Sequence, residues 1–541
     1  MKRNIIFIIF LFVTTSIVGQ DLSTNNEKYW SYRNRLKKYF VKIGDNIGES
    51  NVASVRNFKE LTLFHMGDQT VDLAWYLGVL ATEYELLRQN GQDVERTLVE
   101  LYYAMKAFER LDYCETKGPW YKSSAAVDGF FVRFDPELYY NNSLFDINER
   151  NPDLTANDLF GSKEPGIPTY INSSHVELPD EYGIAMSQDQ AIHLLMGFAL
   201  IRKLLPPMAL GFEDLDGNTI VFNFHSMSKY YANNIVEYVQ NRNEDYGPDK
   251  WKIYDPDGDI VTRGHNAIAF AHGIIKSAQS IFSYPYSDNW SETASAELMW
   301  QTLSIPNPYE YNSHMACVLA ALSDTWDWGV NTTGFRIYSL ASVWNWDTFY
   351  LLLYDIINDK TTSYLSISKV EDQLNTAPSC GPYLWDANNQ VEFECCGFVS
   401  GKPTGGWASS NKFRHTKEEQ QGFDENGNTR DGTGNFHGLD FMLLYNLYRL
   451  HEQPIGFVDL IDIKISNLYY PYVKDFGYPI EGNNFNPATI QAFETIEVSN
   501  MIVDNKLHPD FGNPNGTTPE NANVTMRAGK KIILKPGFKV E

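Results

Sequence analysis

Residues His65–Asn90, HMGDQTVDLAWYLGVLATEYELLRQN, decide the fold of this chain. The stretch opens with polar residues and then carries apolar residues on three faces of an ideal helix: Leu73, Leu77, Leu80, Tyr84 and Leu87 on one, Ala74, Gly78 and Ala81 on a second, and Trp75, Val79 and Leu86 on a third. A helix that is hydrophobic all round is buried in a large core. We therefore predict an inner helix here, surrounded by other helices.

The next segment, Asp93–Asp112, has a different pattern. One stripe is apolar, formed by Val94, Leu98, Leu101, Met105, Phe108 and Leu111, and the opposite side carries the charged residues. This amphipathic spacing is typical of a surface helix. The pair predicts an outer helix that covers an inner one.

Five further stretches are apolar in the same way and predict inner helices: 190–205, 264–282, 313–322, 347–357 and 439–450. More polar helical segments fall between most of them, at about 26–42, 226–241 and 292–303. Six inner and about six outer helices in alternation predict a mainly α fold, an (α/α)6 toroid whose inner helices run in one direction. An irregular helical array is the alternative, although the fixed sequence period of a helical solenoid is missing.

The pattern changes near Pro454. Residues 457–466, 490–503 and 524–534 alternate like strands, separated by turns rich in Gly, Asn and Pro. We therefore predict three segments: a signal peptide at 1–20, a catalytic toroid at 21–453, and a small β domain at 454–541 with an accessory or secretion-related role. Its end, VTMRAGKKIILKPGF at 524–538, resembles short β repeats near the C-termini of secreted proteins from polymer-degrading bacteria.

The first twenty residues predict export. Lys2 and Arg3 precede an apolar run from Ile5 to Phe12, followed by small and polar residues up to Gln20. This is the pattern of a cleavable signal peptide, and its apolar core is too short to span a bilayer. The chain carries 68 acidic and 44 basic side chains, a formal net charge of −24, so nucleic acid and anionic membranes are poor partners. We expect a secreted or cell-surface protein without membrane insertion.

Cysteine and metal patterns are weak. Five cysteines are too few for a disulfide scaffold, and a bond from Cys380 to Cys395 or Cys396 stays open. Asp255, Asp257 and Asp259 alternate like the oxygen ligands of a calcium loop, but the Gly and Glu positions of an EF-hand are missing. Asp beside Gly is more typical of a tight turn. We expect no cofactor, with calcium at 255–259 as the alternative.

Residues that could perform chemistry recur where the inner helices begin. They are Asp68 and Asp72, Asp189, His265, Trp344, Trp346 and Asp347, and His437 and Asp440. A carboxylate at a helix amino end often only caps the helix, because unpaired N–H groups and the helix dipole stabilise negative charge. The recurrence at most of the inner helices nevertheless predicts a site where their amino ends meet.

Aromatic residues and long loops point to a ligand. All twelve tryptophans precede residue 408, and flat aromatic faces suit the C–H faces of sugar rings, although core packing accounts for many of them. The loops at 115–186 and 361–437 exceed the length at which structureless connections become unusual. We interpret them as walls of a cleft, with Asp128 and Arg133 among the residues that line it.

In architecture and residue placement, residues 21–453 resemble the secreted (α/α)6 glycoside hydrolases and unsaturated-uronyl hydrolases. The resemblance implies that one carboxylic acid protonates the leaving oxygen or a double bond while a second carboxylate activates water, with about 6.5–9.5 Å between them in an inverting enzyme. It implies Asp189 as the acid, Asp68 as the base and His265 as an assisting group. A poly- or oligosaccharide would contact the remaining candidates: Asp72, Asp128, Arg133, Trp344, Trp346, Asp347, His437 and Asp440.

Two other functions stay open at this point. A polysaccharide lyase acting on uronate-containing glycans would use His, Tyr, Arg or Asn near the same face, including Arg263, His265 and Asn266. A non-catalytic glycan-binding or surface protein would show the aromatic residues without a converging pair of carboxylates.

Overall fold

The computed structural model describes part of the chain. The described residues are 25–30, 32–33, 36–37, 41, 43, 55–57, 63–65, 69–113, 128–133, 185–246, 252–256, 258–260, 267–285, 311–323, 347–361, 365–376, 438–460, 462–466, 469–470, 488–492, 495–499, 502–503, 524–528, 531–534 and 539–540. They fall into two compact units. One takes its residues from Met1–Asn34 and Val458–Glu541, and the other from Arg35–Ser379 and Asp386–Phe457.

The second unit is mainly helical, which confirms the predicted class. Its described helices are α1 (Gln69–Gln89), α2 (Glu95–Asp112), α3 (Gln188–Leu204), α4 (Phe224–Tyr246), α5 (Ala267–Phe282), α6 (Tyr311–Leu322), α7 (Asp347–Asn358), α8 (Ile367–Thr376) and α9 (Leu439–Glu452). Each of the six stretches predicted to form inner helices is helical, as α1, α3, α5, α6, α7 and α9. The predicted outer helix at 292–303 lies outside the described residues. None of the described helices combines the length and apolarity needed to cross a bilayer.

The six buried helices contact one another in chain order. Helix α1 packs against α3, α3 against α5, and the succession continues through α6 and α7 to α9, which packs against α1. Helix α3 also packs against α6 and α7, so it contacts more buried helices than its two neighbours in this order. The more polar helices flank these: α2 packs on α1, α4 on α3 and α5, and α8 on α7 and α9.

The buried helices also run in the same direction. Hydrogen bonds join their carboxyl ends: Arg202 Nε to the Ile281 carbonyl at 3.3 Å, Asn358 Nδ2 to the Ala321 carbonyl at 2.7 Å, His451 Nε2 to Asp355 Oδ2 at 3.2 Å, and Asn90 Nδ2 to the Pro454 carbonyl at 2.6 Å. These bonds connect α3 with α5, α7 with α6, α9 with α7, and the end of α1 with the residues after α9. The amino ends of these helices therefore lie at the opposite side.

Small residues explain how closely α1 and α3 approach. A Cβ atom added to Gly197 would lie 2.6 Å from the Ala74 carbonyl oxygen, nearer than real Cβ contacts occur. At Gly78 an added Cβ would lie 3.0 Å from Leu200 and 3.2 Å from Leu443, on α3 and α9 respectively. The face of α1 that carries small residues thus lets α3 and α9 pack close to its backbone. The larger apolar residues of α1 are buried in the core around it.

Helix α2 runs antiparallel to α1, and polar pairs lie between the two. The Tyr76 hydroxyl donates to Glu100 at 2.6 Å, and the Thr97 hydroxyl donates to Glu83 at 2.7 Å. Both glutamates are almost fully buried, and burial of a carboxylate is costly unless it accepts hydrogen bonds. These pairs fix the sequence register between the inner and the outer helix.

Three local features differ from the sequence interpretation. Helix α8 lies inside the predicted long loop at 361–437, so that part of the interpretation was wrong. Antiparallel hairpins join β1 (Val55–Asn57) to β2 (Leu63–His65) and β3 (Leu210–Glu213) to β4 (Thr219–Phe222), and neither was predicted. In the β3–β4 connection, Asp214 Oδ1 accepts the N–H groups of Asp216 and Asn218.

The strands of the other unit stack in parallel. They are β5 (Asp462–Ser466), β6 (Tyr469–Tyr470), β7 (Ala488–Ala492), β8 (Thr495–Ser499), β9 (Ile502–Val503), β10 (Val524–Ala528), β11 (Lys531–Leu534) and β12 (Lys539–Val540). Strand β8 pairs with both β5 and β11, β9 pairs with β6 and β12, and β7 pairs with β10. The pairing partners recur along the chain, Thr495 facing Asp462 on one side and Lys531 on the other. The described strands therefore pair in the same order along the chain, β7–β8–β9 with β10–β11–β12, which the alternation alone did not indicate.

Candidate functional site

The segment 128–133 connects the amino ends of α1 and α3 through hydrogen bonds. The Thr70 hydroxyl in the first turn of α1 donates to the Arg133 carbonyl at 2.9 Å, and Arg133 Nε donates to the Ala185 carbonyl at 2.8 Å. Val132 and Ala185 form an antiparallel bridge just before α3 begins. The predicted site residue Arg133 therefore holds the backbone at the amino ends of α1 and α3 in position, and its side chain is buried.

Asp128 begins this segment in a turn at the end of α2. The Asp112 side chain accepts the N–H groups of Asp128 at 2.9 Å and Gly129 at 3.2 Å, and Asp128 Oδ1 accepts the N–H of Phe130 at 3.1 Å. Gly129 has a φ of +100°, and a Cβ there would lie 2.1 Å from the Asn234 carbonyl of α4. The exposed Asp128 carboxylate is thus engaged in shaping the turn.

Asp189 lies in the first turn of α3, partly exposed. The Ser187 hydroxyl donates to its Oδ1, and the Ser187 N–H donates to Gln190 Oε1 at 3.1 Å. A hydroxyl donor and the amino end of a helix both stabilise negative charge. These contacts hold the Asp189 carboxylate in one orientation at the amino end of α3.

His193 lies one turn further along α3, beneath Asp189. Its Nδ1 is 2.6 Å from the Asp189 carbonyl oxygen, and because a carbonyl can only accept, Nδ1 carries the hydrogen. Burial lowers the pKa of His193, outweighing the contacts with Asp189 that raise it. The side chain is therefore a neutral imidazole with a fixed tautomer, whose Nε2 is the acceptor nitrogen.

Aromatic rings fill the core at the same level. The His193 ring lies 6.4 Å from that of Trp75, which stacks on Phe349 at 4.9 Å between ring centroids. These residues come from α3, α1 and α7, and all three are buried. Trp75, which is 1% exposed, therefore packs in the core, as the sequence of the first inner helix predicts.

Two further predicted site residues are buried. Asp72 in the first turn of α1 has no exposed surface, and Asp440 in the first turn of α9 is 5% exposed. Asp440 Oδ1 accepts the Phe441 N–H at 2.8 Å, as a residue stabilising its own helix end would. Of the predicted carboxylates at the described helix starts whose side chains are described, Asp189 is the one that reaches the surface.

One more predicted site residue stands at a helix start. Asp347 begins α7, where its backbone is described. The others lie outside the described residues: Asp68, His265, Trp344, Trp346, His437 and Asp257.

The described residues of the acidic stretch, 255–256 and 258–259, are held together by hydrogen bonds of a tight turn. The Asp255 N–H donates to the Asp259 carbonyl at 2.9 Å, and Asp255 Oδ1 accepts the Asp259 N–H at 2.9 Å. Gly258 has a φ of +93° and donates to the Asp255 carbonyl at 3.0 Å. Within the part of the chain that the structure describes, no three His, Cys, Asp or Glu side chains converge as metal ligands would.

His193 and Phe349 were not among the predicted site residues. Both sit inside stretches that are apolar on all sides, where a histidine or phenylalanine suggests only packing. The spacing of Asp189 and His193, four residues apart, is the signal that places one above the other on a helix.

Comparison with protein families, curated proteins and solved structures finds no match to this chain.

Proposed function

We propose that this chain is a secreted carbohydrate-active enzyme, a glycoside hydrolase that works at the amino-terminal face of helices arranged as an (α/α)6 toroid. The observation that supports it best is the partly exposed Asp189 carboxylate, held by Ser187 at the end where the buried helices begin. The common direction of those helices supports the toroid, because it gathers their amino ends on one side.

The two ends of the helical unit differ in a way that fits this proposal. At the carboxyl ends, side chains of Arg202, Asn358 and Asn90 donate to backbone carbonyls and so complete the helix ends. At the amino ends the described residues include the partly exposed Asp189 carboxylate, one helical turn from the buried ring of His193. Substrate would approach from the amino end, and Trp75 and Phe349 would form the floor beneath it.

The contacts of Asp189 bear on its role. Ser187 fixes the orientation of this carboxyl group, which a residue that transfers a proton to or from the substrate needs. We therefore keep Asp189 as the candidate acid and Asp68 as the candidate base, as the resemblance implies.

A substrate screen with one matched pair of variants tests the proposal. Wild-type protein is incubated with neutral and acidic polysaccharides, and products are read as new reducing ends and as absorbance from new double bonds. Asp189→Asn keeps the shape of the side chain but removes its charge, so hydrolysis should fall by about 10²-fold or more. The control Asp216→Asn alters an exposed carboxylate in the β3–β4 turn and should leave the rate unchanged.

The outcomes separate the three functions. Reducing ends without double bonds, lost in Asp189→Asn alone, support the hydrolase. Reducing ends together with double bonds identify a lyase instead. Binding of a glycan by a protein that yields neither product identifies a binding protein, and equal activity in both variants removes Asp189 from the site.

A further inference from the structure

A second cluster of titratable residues lies at the opposite end of the helical unit, between α7 and α9. His451 Nε2 is 3.2 Å from Asp355 Oδ2, and His451 Nδ1 is 2.5 Å from Glu452 Oε1. The Asp355 side chain has no exposed surface, and that of His451 is 12% exposed. The imidazole thus lies between two carboxylates, one of them on the neighbouring helix.

Both contacts require a hydrogen on the ring. An ionised carboxylate only accepts hydrogen bonds, so two carboxylates facing the two ring nitrogens are both satisfied by the imidazolium form. The bond from Asp355 is the main cause that raises the pKa of His451, burial opposes it, and Glu452 adds to the rise. In the neutral form one ring nitrogen would present a lone pair to a carboxylate.

The other charged groups nearby already have partners. Glu371 of α8 accepts the Tyr448 hydroxyl at 2.7 Å, and burial together with Glu371 raises the pKa of Tyr448, which stays neutral. Arg449 donates to backbone carbonyls and to a tyrosine hydroxyl. On α1, which also packs against α9, Arg88 pairs with Glu85 at 2.7 Å. Among the described groups named here, His451 is the one whose side-chain type changes charge near neutral pH.

We infer that Asp355, His451 and Glu452 form a pH-sensitive clamp that joins the carboxyl ends of α7 and α9 in acid and releases them in alkali. A histidine whose pKa is raised by folding contributes stability that is complete below its unfolded value of about 6.5. That stability is lost as the pH rises through the folded value. Release breaks the contact between the imidazolium and the buried Asp355 carboxylate, and so weakens the link between the two helices.

The test compares the full chain with His451→Gln in urea unfolding, followed by the helical circular dichroism signal at pH 5.5 and 8.5. Glutamine keeps one donor and one acceptor but cannot become charged. At pH 5.5 the unfolding equilibrium constant of the variant should exceed that of the wild type by about 5-fold or more. At pH 8.5 the difference should largely disappear.

His225→Gln is the matched control at another pair of helices. His225 Nδ1 lies 2.6 Å from Arg202 Nη1, so it must accept, and burial followed by the Arg202 charge lowers the pKa of His225. Its contribution has the opposite sign, being lost as the pH falls. The control variant should therefore differ from wild type more at pH 8.5 than at pH 5.5.

A titration of the wild-type histidines by NMR tests the clamp directly. The His451 resonance is the one absent from the variant, and its midpoint should lie above 6.5. If His451→Gln does not fold, Glu452→Gln serves in its place and should lower the midpoint of one resonance. A midpoint at or below 6.5 in wild type, or a destabilisation by His451→Gln that is equal at both pH values, overturns the clamp.

Discussion

Arg449 shows how one buried charged residue ends a helix. Its Nε donates to the Gln453 carbonyl at 2.7 Å and its Nη2 to the Ile455 carbonyl at 2.8 Å, which fixes the backbone just after α9. Its guanidinium lies over the rings of Tyr445 and Phe457, at 5.9 and 6.0 Å. Planar donors and a weakly hydrated charge make arginine suited to such a position.

Replacing Arg449 should therefore be costly. Arg449→Met keeps most of the apolar volume but leaves two carbonyls without their donor, so the free energy of unfolding should fall by about 2–4 kcal/mol. Urea unfolding of the full chain measures the change. The control is Arg88→Met, which breaks a half-exposed pair with Glu85 and should cost about 1 kcal/mol or less. Equal losses in the two variants would contradict the role given to Arg449.

Residue roles at the helix starts were only partly predictable. Asp72, Asp189 and Asp440 look alike in the sequence, since each stands in the first turn of an apolar helix. In the structure Asp72 is fully covered, Asp440 binds its own helix end, and Asp189 is partly exposed. The difference depends on how each helix is rotated against neighbours that are distant in the chain, and local spacing carries no information on that rotation.

At the scale of elements, the contact between α1 and α3 depends on a glycine. The space at Gly197 is occupied by the Ala74 carbonyl of the facing backbone, which cannot rotate away as a side chain could. Gly197→Ala should force the two helices apart and lower the free energy of unfolding by about 1–3 kcal/mol, despite the better helix propensity of alanine.

The matched control for this prediction is Gly211→Ala in β3. There the nearest atom to an added Cβ is the Ile220 carbonyl oxygen at 3.9 Å, which is an ordinary contact. The control should change stability by less than about 0.5 kcal/mol. A Gly197→Ala protein as stable as wild type in urea would mean that α1 and α3 adjust their separation easily.

The sequence predicted elements well where apolar residues cover every face, because such a helix has no other place than a core. All six buried helices were found in this way. Helix α8 was missed because its ten residues carry one short stripe, including Val370 and Leu374, inside a stretch of polar residues. The parallel pairing of β8 with β5 and β11 was missed because it joins segments more than thirty residues apart, and alternation describes a strand but not its partner.

At the scale of the whole molecule, acidity is the dominant property. A net charge of −24 favours solubility but lets like charges repel within the compact state. Salt screens this repulsion, with a Debye length of about 10 Å at 0.1 M. The same charge would also attract calcium non-specifically, so a response to calcium identifies a site only when ionic strength is held constant.

The structure predicts a general rather than a specific response to cations. At the turn 255–259 the Asp255 carboxylate already accepts the Asp259 N–H, and the backbone of the turn is closed by its own hydrogen bonds. Raising sodium chloride from about 10 to 150 mM should raise the urea midpoint by screening, and calcium or magnesium chloride of equal ionic strength should act alike. Asp255→Asn and Asp216→Asn are measured beside the wild type under each salt. A midpoint that rises with micromolar calcium in the wild type and in Asp216→Asn, but not in Asp255→Asn, would establish a calcium site at this turn and contradict the prediction.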